Sequence, residues 1–256
     1  MRSIVFLKAI LDPEAPPGVL RFSPAGASGD VQQVLGPFEG NALELAVQLA
    51  QAASGSFVAV AQGDPAQDAA LRKALALGAE SAVRVEADGA FTDPLVTARR
   101  LRAVALSLGA ADLYLFGRQA GDWDMGVTAG LFAGLMDLPF VPLVQRAVQE
   151  GDALRVRREI AGGYEESLRR PPLVLSVTNG PATVLRLPKV KDVMLANRRP
   201  IDVRAPEAGP AGLALEGLAA ARTERAGRML SGDPAAQAEQ LAAELRRFRI
   251  GQGGVQ

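Results

Sequence analysis

The residues best placed to meet a ligand lie in three polar turns, each following an apolar run: residues 8–12 after RSIVFL, 62–65 (QGDP) after SFVAVA, and 117–130 after ADLYLF. At such turns backbone N–H groups and a helix start come together, which suits phosphate or another anion. In the third turn Gly126 and Gly130 permit close backbone approach, and Thr128 adds a hydroxyl where a helix begins. None of the three spells a P-loop or G-x-G-x-x-G. The same residues also serve as plain strand-to-helix turns, so spacing alone leaves two readings, anion site or turn. Side-chain chemistry is poorly supplied, because the chain has neither cysteine nor histidine. That excludes disulfides, thiol nucleophiles, thiolate metal sites and a Ser-His-Asp triad. Any reaction here needs a cofactor or a partner.

The elements that must hold these turns follow from the pattern of the chain. Its 256 residues are 48% hydrophobic and 22% charged, with 28 basic and 28 acidic side chains and a net charge of zero. This is the mix of a folded domain with a sizeable core and no global field for nucleic acid. The Arg169-Arg170 and Arg246-Arg247-Arg249 clusters read as solvated faces or salt-bridge partners, not a nucleic-acid surface. No apolar run approaches the roughly 20 residues that span a bilayer, and Lys8 interrupts the short N-terminal one. No membrane insertion and a cytoplasmic location are therefore expected. Strand and helix then alternate four times: a strand over 2–8, a helix opened by Asn41, a strand over 56–61, a helix from Pro65 to Gly78, a strand from Ser81, a helix from Thr92-Asp93-Pro94 to Gly109, a strand over 111–117 and a helix after the third turn. Such alternation predicts an α/β fold with a doubly wound, mostly parallel sheet. Beyond residue 140, FVPLVQRAVQ, DALRVRREI and PPLVLSVT read as antiparallel strands added at the sheet's edge. The expected division is a nucleotide-binding-type α/β domain over 1–200 and, over 201–256, an Ala/Gly/Pro/Arg-rich arm with a final amphipathic helix started by Asp233-Pro234. Asp122 and Asp124 read as turn and N-cap residues.

Six segments, in order, carry a family resemblance: LKAILDPE; Gly36-Pro37-Phe38 with NALELAVQL; DAALRKALALGAESAVRV; GRQAGDWDMGVTAGL; VRREIAGGYEESL with PPLVLSVT; and RLPKVKDVMLANRRPI. The fourth resembles the pattern G-[KR]-Q-x-x-D-x-D followed by a Gln-Thr-Gly-type turn. Together they cover roughly residues 1–203, and they resemble the β subunit of electron transfer flavoproteins. The resemblance implies a Rossmann-like fold akin to the adenine-nucleotide α-hydrolases and a non-enzymatic electron carrier. It implies a heterodimer in which the α subunit carries most of the FAD site, the β subunit holds AMP, and the C-terminal arm embraces the α subunit. It also implies electron donation by flavin dehydrogenases, such as acyl-CoA dehydrogenases, and delivery to a quinone oxidoreductase or other acceptor.

Position by position, the resemblance assigns AMP contacts to Phe6, Lys8, Asn41, Gln62, Gly63, Asp122, Gly126, Val127, Thr128, Ala129 and Gly130, with no metal ligands. Phe38 matches an aromatic near the flavin edge and reads equally well as a core staple beside the following helix. Val190, with Lys191 and Met194, matches an exposed recognition loop that docks the partner dehydrogenase. The sequence also departs from the pattern: the Asn-Gln-Thr-Gly-Gln turn is here Gly126-Val127-Thr128-Ala129-Gly130, the helix-opening Asn is Gly36, and the Asp of Asp-Gly-Gly is Ala161. Two other readings stand beside this one. One is a stand-alone adenine-nucleotide sensor or stress-type protein of similar fold; the other is a bifurcating-type β subunit with a second FAD in place of AMP.

Overall fold

The computed structural model describes residues 1–256 apart from 17, 24–25, 53, 88–90, 208, 220–226 and 252–256, and apart from the side chains of 26 and 248–251. In chain order the elements are β1 (Arg2–Leu7), β2 (Ala9–Leu11), β3 (Arg21–Ser23), β4 (Gly26–Ser28), β5 (Gln33–Leu35), α1 (Pro37–Ala52), β6 (Ser56–Gly63), a 3-10 turn (Pro65–Gln67), α2 (Asp68–Ala76), β7 (Ser81–Glu86), α3 (Pro94–Ser107), β8 (Leu113–Gly117), α4 (Thr128–Met136), β9 (Phe140–Glu150), β10 (Ala153–Ile160), β11 (Gly163–Arg169), β12 (Leu173–Val177), α5 (Val190–Ala196), β13 (Asp202–Arg204) and α6 (Pro234–Gly251). They fall into two compact units, Met1–Ala219 and Ala220–Gln256.

The first unit is an α/β fold built on a nine-stranded sheet, ordered β11-β10-β9-β12-β8-β1-β6-β7-β13. Every neighbour pairing is parallel except β9–β10 and β10–β11. Strand residues alternate between two cores, as a sheet covered on both faces requires. Val5, Leu7, Leu113 and Leu115 pack with Leu43, Ala46 and Leu71 of α1 and α2 on one face. Ile4, Phe6, Tyr114 and Phe116 pack with Leu101, Val104 and Phe132 of α3 and α4 on the other. From β1 the chain winds outward through β6 to β7, and α3 then carries it back across to β8 on the other side of β1. The winding direction therefore reverses between β1 and β8, and the crevice beyond their carboxyl ends is where ligands of such sheets bind.

Two expectations are corrected by the structure. α1 begins at Pro37, not Asn41: proline fits the first helical position, and Asn41 lies a turn inside, donating to Thr183 O at 2.7 Å. β12 is not an antiparallel edge strand but an interior one, parallel to both β8 and β9 and buried at all five residues. The edge is instead the meander β9–β10–β11, whose last strand, GYEESLR, has too few apolar residues to stand out. Between β1 and α1 two short ladders, β2–β5 and β3–β4, also form.

The segment beyond β13 is tied to α3. Asp93 caps that helix through the Leu95 N–H (2.6 Å) and also accepts the N–H groups of Gly212 (2.6 Å) and Leu213 (2.8 Å). Burial works against charge on Asp93, but these backbone donors outweigh it and hold the carboxyl below its usual range. Parts of the expected arm, 208, 220–226 and 252–256, lie outside the described residues.

Candidate functional site

The crevice between β1 and β8 is built from four chain segments. Lys8 follows β1, and its ammonium spans the crevice to Asp122 in the turn after β8, at 2.6 and 2.8 Å from the two carboxylate oxygens. The same carboxylate accepts the Trp123 N–H at 2.9 Å, and the Trp123 ring meets Phe91 edge-on with centroids 5.0 Å apart. Asp124 adopts a left-handed conformation (φ 52°), accepts the Gln119 amide at 2.6 Å, and donates its N–H to Ala120 O. The two aspartates thus shape the turn, but neither caps α4: the N-cap is Val127, which offers no side-chain acceptor. Exposed Gly126 and Val127 therefore lead directly into helix N–H groups that no side chain caps among the described residues, an arrangement suited to an anion.

The first turn of α1 forms the floor. At Gly117 a Cβ would lie 2.8 Å from the Glu39 nitrogen, so only glycine lets this helix seat on the end of β8. Phe38 is half-buried, with the Arg118 guanidinium 5.0 Å above its ring. Glu39 is buried and its Oε2 has no hydrogen-bond partner among the described residues. Burial pushes its carboxyl up to about 7; its own N–H and Lys8 favour charge, while Asp122 opposes it. Nothing in the sequence pattern singles out this acid beyond its place, a glutamate in the first turn of a helix opened by Gly-Pro.

Sequence-assigned residues divide accordingly. Lys8, Asp122, Gly126, Val127 and Thr128 line the crevice turns. Gln62 and Gly63 end β6 on the other side of β1; Gln62 donates to Thr97 Oγ1 at 3.2 Å, and its buried Oε1 has no hydrogen-bond partner among the described residues. The Phe6 ring belongs to the core, stacked on Phe116 at 4.3 Å, and Ala129 is buried beside it. Gly130 packs against the Phe140 ring. Asn41 is engaged by the Thr183 carbonyl, away from the crevice turns.

Val190, Lys191 and Met194 lie elsewhere, on α5, so the expected loop is a short helix. Val190 is 78% exposed and Met194 60%, with Leu187 and Val184 exposed on the approach. The helix is anchored at its other end, where Ala196 is buried and the Arg72 guanidinium binds the Ala196 and Arg199 carbonyls. Cationic donors there complete helix-end acceptors that would otherwise lack partners.

Comparison with known proteins decides the family. The electron transfer flavoprotein domain matches residues 27–208, a span that includes the whole of α1, the turn after β8 and α5. The chain belongs to the electron transfer flavoprotein family. The curated relatives it is similar to include several β subunits. The electron transfer flavoprotein subunit β of Thermoanaerobacterium thermosaccharolyticum is 30% identical over 233 residues, 86% of this chain and 88% of that protein. The Sus scrofa subunit β is 30% identical over 256 residues, 97% and 98% of the two chains. That of Homo sapiens is 31% identical over 213 residues, 80% and 82%. Family membership favours a subunit of an electron carrier over the stand-alone nucleotide sensor. Among the described residues no helix is long and apolar enough to cross a membrane, and no cluster of acidic side chains could hold a metal ion.

Proposed function

We propose that the chain is the β subunit of an electron transfer flavoprotein heterodimer, with AMP in the crevice between β1 and β8, FAD chiefly on the α subunit, and α5 presented to a flavin dehydrogenase. One observation carries the nucleotide reading: at the reversal point of the sheet, Lys8 pairs with Asp122 in the turn that leads to a helix start whose N–H groups no side chain caps among the described residues. The residues fit a phosphate-bearing ligand. Lys8 supplies positive charge, Gly126 (φ 63°) gives close backbone approach, and Thr128 offers a hydroxyl. Gln62 Oε1, buried without a partner among the described residues, is an acceptor on the neighbouring strand end. FAD, when bound, supplies the electron-carrying chemistry, consistent with a chain lacking histidine and cysteine. This chain's contribution is to hold the nucleotide, complete the heterodimer and dock the donor. A quinone oxidoreductase or another acceptor would receive the electrons.

The docking reading rests on the exposed apolar row of Leu187, Val190 and Met194, flanked by Lys189 and Lys191 and fixed at one end by Arg72. Its expected occupant is an apolar pocket rimmed by carboxylates. Val190→Ala removes about 1.5 kcal/mol of burial, so KM for the donor dehydrogenase should rise about tenfold with the flavin absorption spectrum unchanged. An unchanged KM would remove Val190 from the docking surface.

A further inference from the structure

We propose that anion binding in this crevice is coupled to uptake of one proton, which settles on the Glu39 carboxylate. The inference rests on reading the crevice as a nucleotide site, and it adds a residue and a pH dependence that the reading lacks.

Geometry confines the carboxyl. A Cβ at Gly36 would lie 2.1 Å from Glu39 Oε2, so the carboxyl fills the space that a side chain at position 36 would take. The close seat of α1 on Gly117 fixes the backbone beneath it. The group therefore sits buried at the base of the crevice, with one oxygen lacking a partner among the described residues. The charges facing it from neighbouring segments are Lys8, at the end of β1, and Asp122, in the turn after β8. Those two also pair with each other across the crevice.

An incoming phosphate competes with Asp122 for Lys8. It brings negative charge towards Glu39 and draws away the cation that had favoured its ionised form. Both changes raise the proton affinity of the carboxylate, which already stands near neutrality, at about 7. The balance is simple: Glu39 passes from carboxylate to carboxylic acid as the anion binds, and the proton comes from solvent. By reciprocity a protonated Glu39 favours the anion, so affinity must fall as pH rises above neutrality, by up to about tenfold per pH unit.

The test is calorimetry with AMP and the nucleotide-free full-length chain, at pH 7.5, in two buffers of different ionisation enthalpy. The expected result is uptake of up to about three quarters of a proton per AMP, because a carboxyl at about 7 is already partly protonated at pH 7.5. It should fall to near zero in Glu39→Gln, whose affinity should also be flat from about pH 7.5 to 8.5, above the titration of the AMP phosphate itself. Asp122→Asn provides a second variant with Glu39 intact. It removes an opposing negative charge, so the break in its affinity profile should move to lower pH. AMP binding without proton uptake, or with equal uptake in Glu39→Gln, overturns this inference alone. Absence of AMP binding at every pH overturns the nucleotide reading and this inference with it.

Discussion

Replacing Phe132 by alanine is expected to destabilise the protein by about 3–5 kcal/mol. Phe132 has no exposed surface and lies on α4, where its ring meets three others: Phe6 at 5.1 Å, Phe116 at 5.2 Å and Tyr114 at 5.3 Å. Phe6 and Tyr114–Phe116 belong to the two strands that flank the crevice, so this cluster holds α4 against β1 and β8. Truncation leaves a cavity that the surrounding strands cannot close, because each is fixed by its ladder. For a chain of this size the melting midpoint should fall by roughly 10 °C. Phe132→Leu, which keeps most of the volume, should lose much less. Denaturant titration measures both, and near-equal losses would mean that the cluster does not bear on stability as its packing indicates.

The second large effect is expected at Arg186. Its guanidinium and N–H bind the Glu44 carboxylate through four contacts of 2.7–3.1 Å, and Gln48 adds a fifth. Glu44 lies on α1 and its side chain is only 4% exposed, so the pair ties the chain leading into α5 down to the helix under the sheet. Burial works against charge on Glu44, but the bonds from Arg186 and Gln48 outweigh it and hold the carboxyl below its usual range. Arg186→Met leaves that carboxylate buried without its counter-charge. The exposed side of Arg186 places the cost at the low end for such losses, about 2–3 kcal/mol. The sign of the pH dependence follows. A depressed carboxylate pKa contributes stability above the unfolded value and loses it as pH falls through the folded one. The deficit of Arg186→Met should therefore be largest near neutral pH and shrink towards pH 4. A deficit independent of pH would assign the effect to lost packing of the arginine stem.

How much of the structure is legible in the residues differs from element to element. β1, β6, β7 and β8 show as apolar runs ending in polar turns, and α2 and α3 carry their stop and start signals, Gly78 (φ 103°) and Asp93-Pro94. Asn41 misleads because an asparagine before an apolar row resembles a cap. The true start, Pro37 with Glu39 in the first turn, is an equally good signal two to four residues earlier. β12 cannot be placed from its own sequence, since neighbours in a sheet are set by tertiary winding. Its run LVLSV, apolar at every position but Ser176, is nonetheless the mark of an interior parallel strand. The crevice turns stand out from their glycines. The Lys8–Asp122 pair joins residues 114 positions apart, and no local pattern announces it. Glu39 is hidden for a different reason: burial, not residue type, makes its chemistry unusual.

The central claim is a β subunit in complex with a flavin-bearing partner, and native mass spectrometry of the protein purified gently from its own source tests it most directly. The expected result is a 1:1 complex with a second chain of similar size, carrying one FAD and one AMP. A second FAD in place of AMP would keep the heterodimer and reassign the crevice ligand. A homodimer with no flavin would contradict the claim.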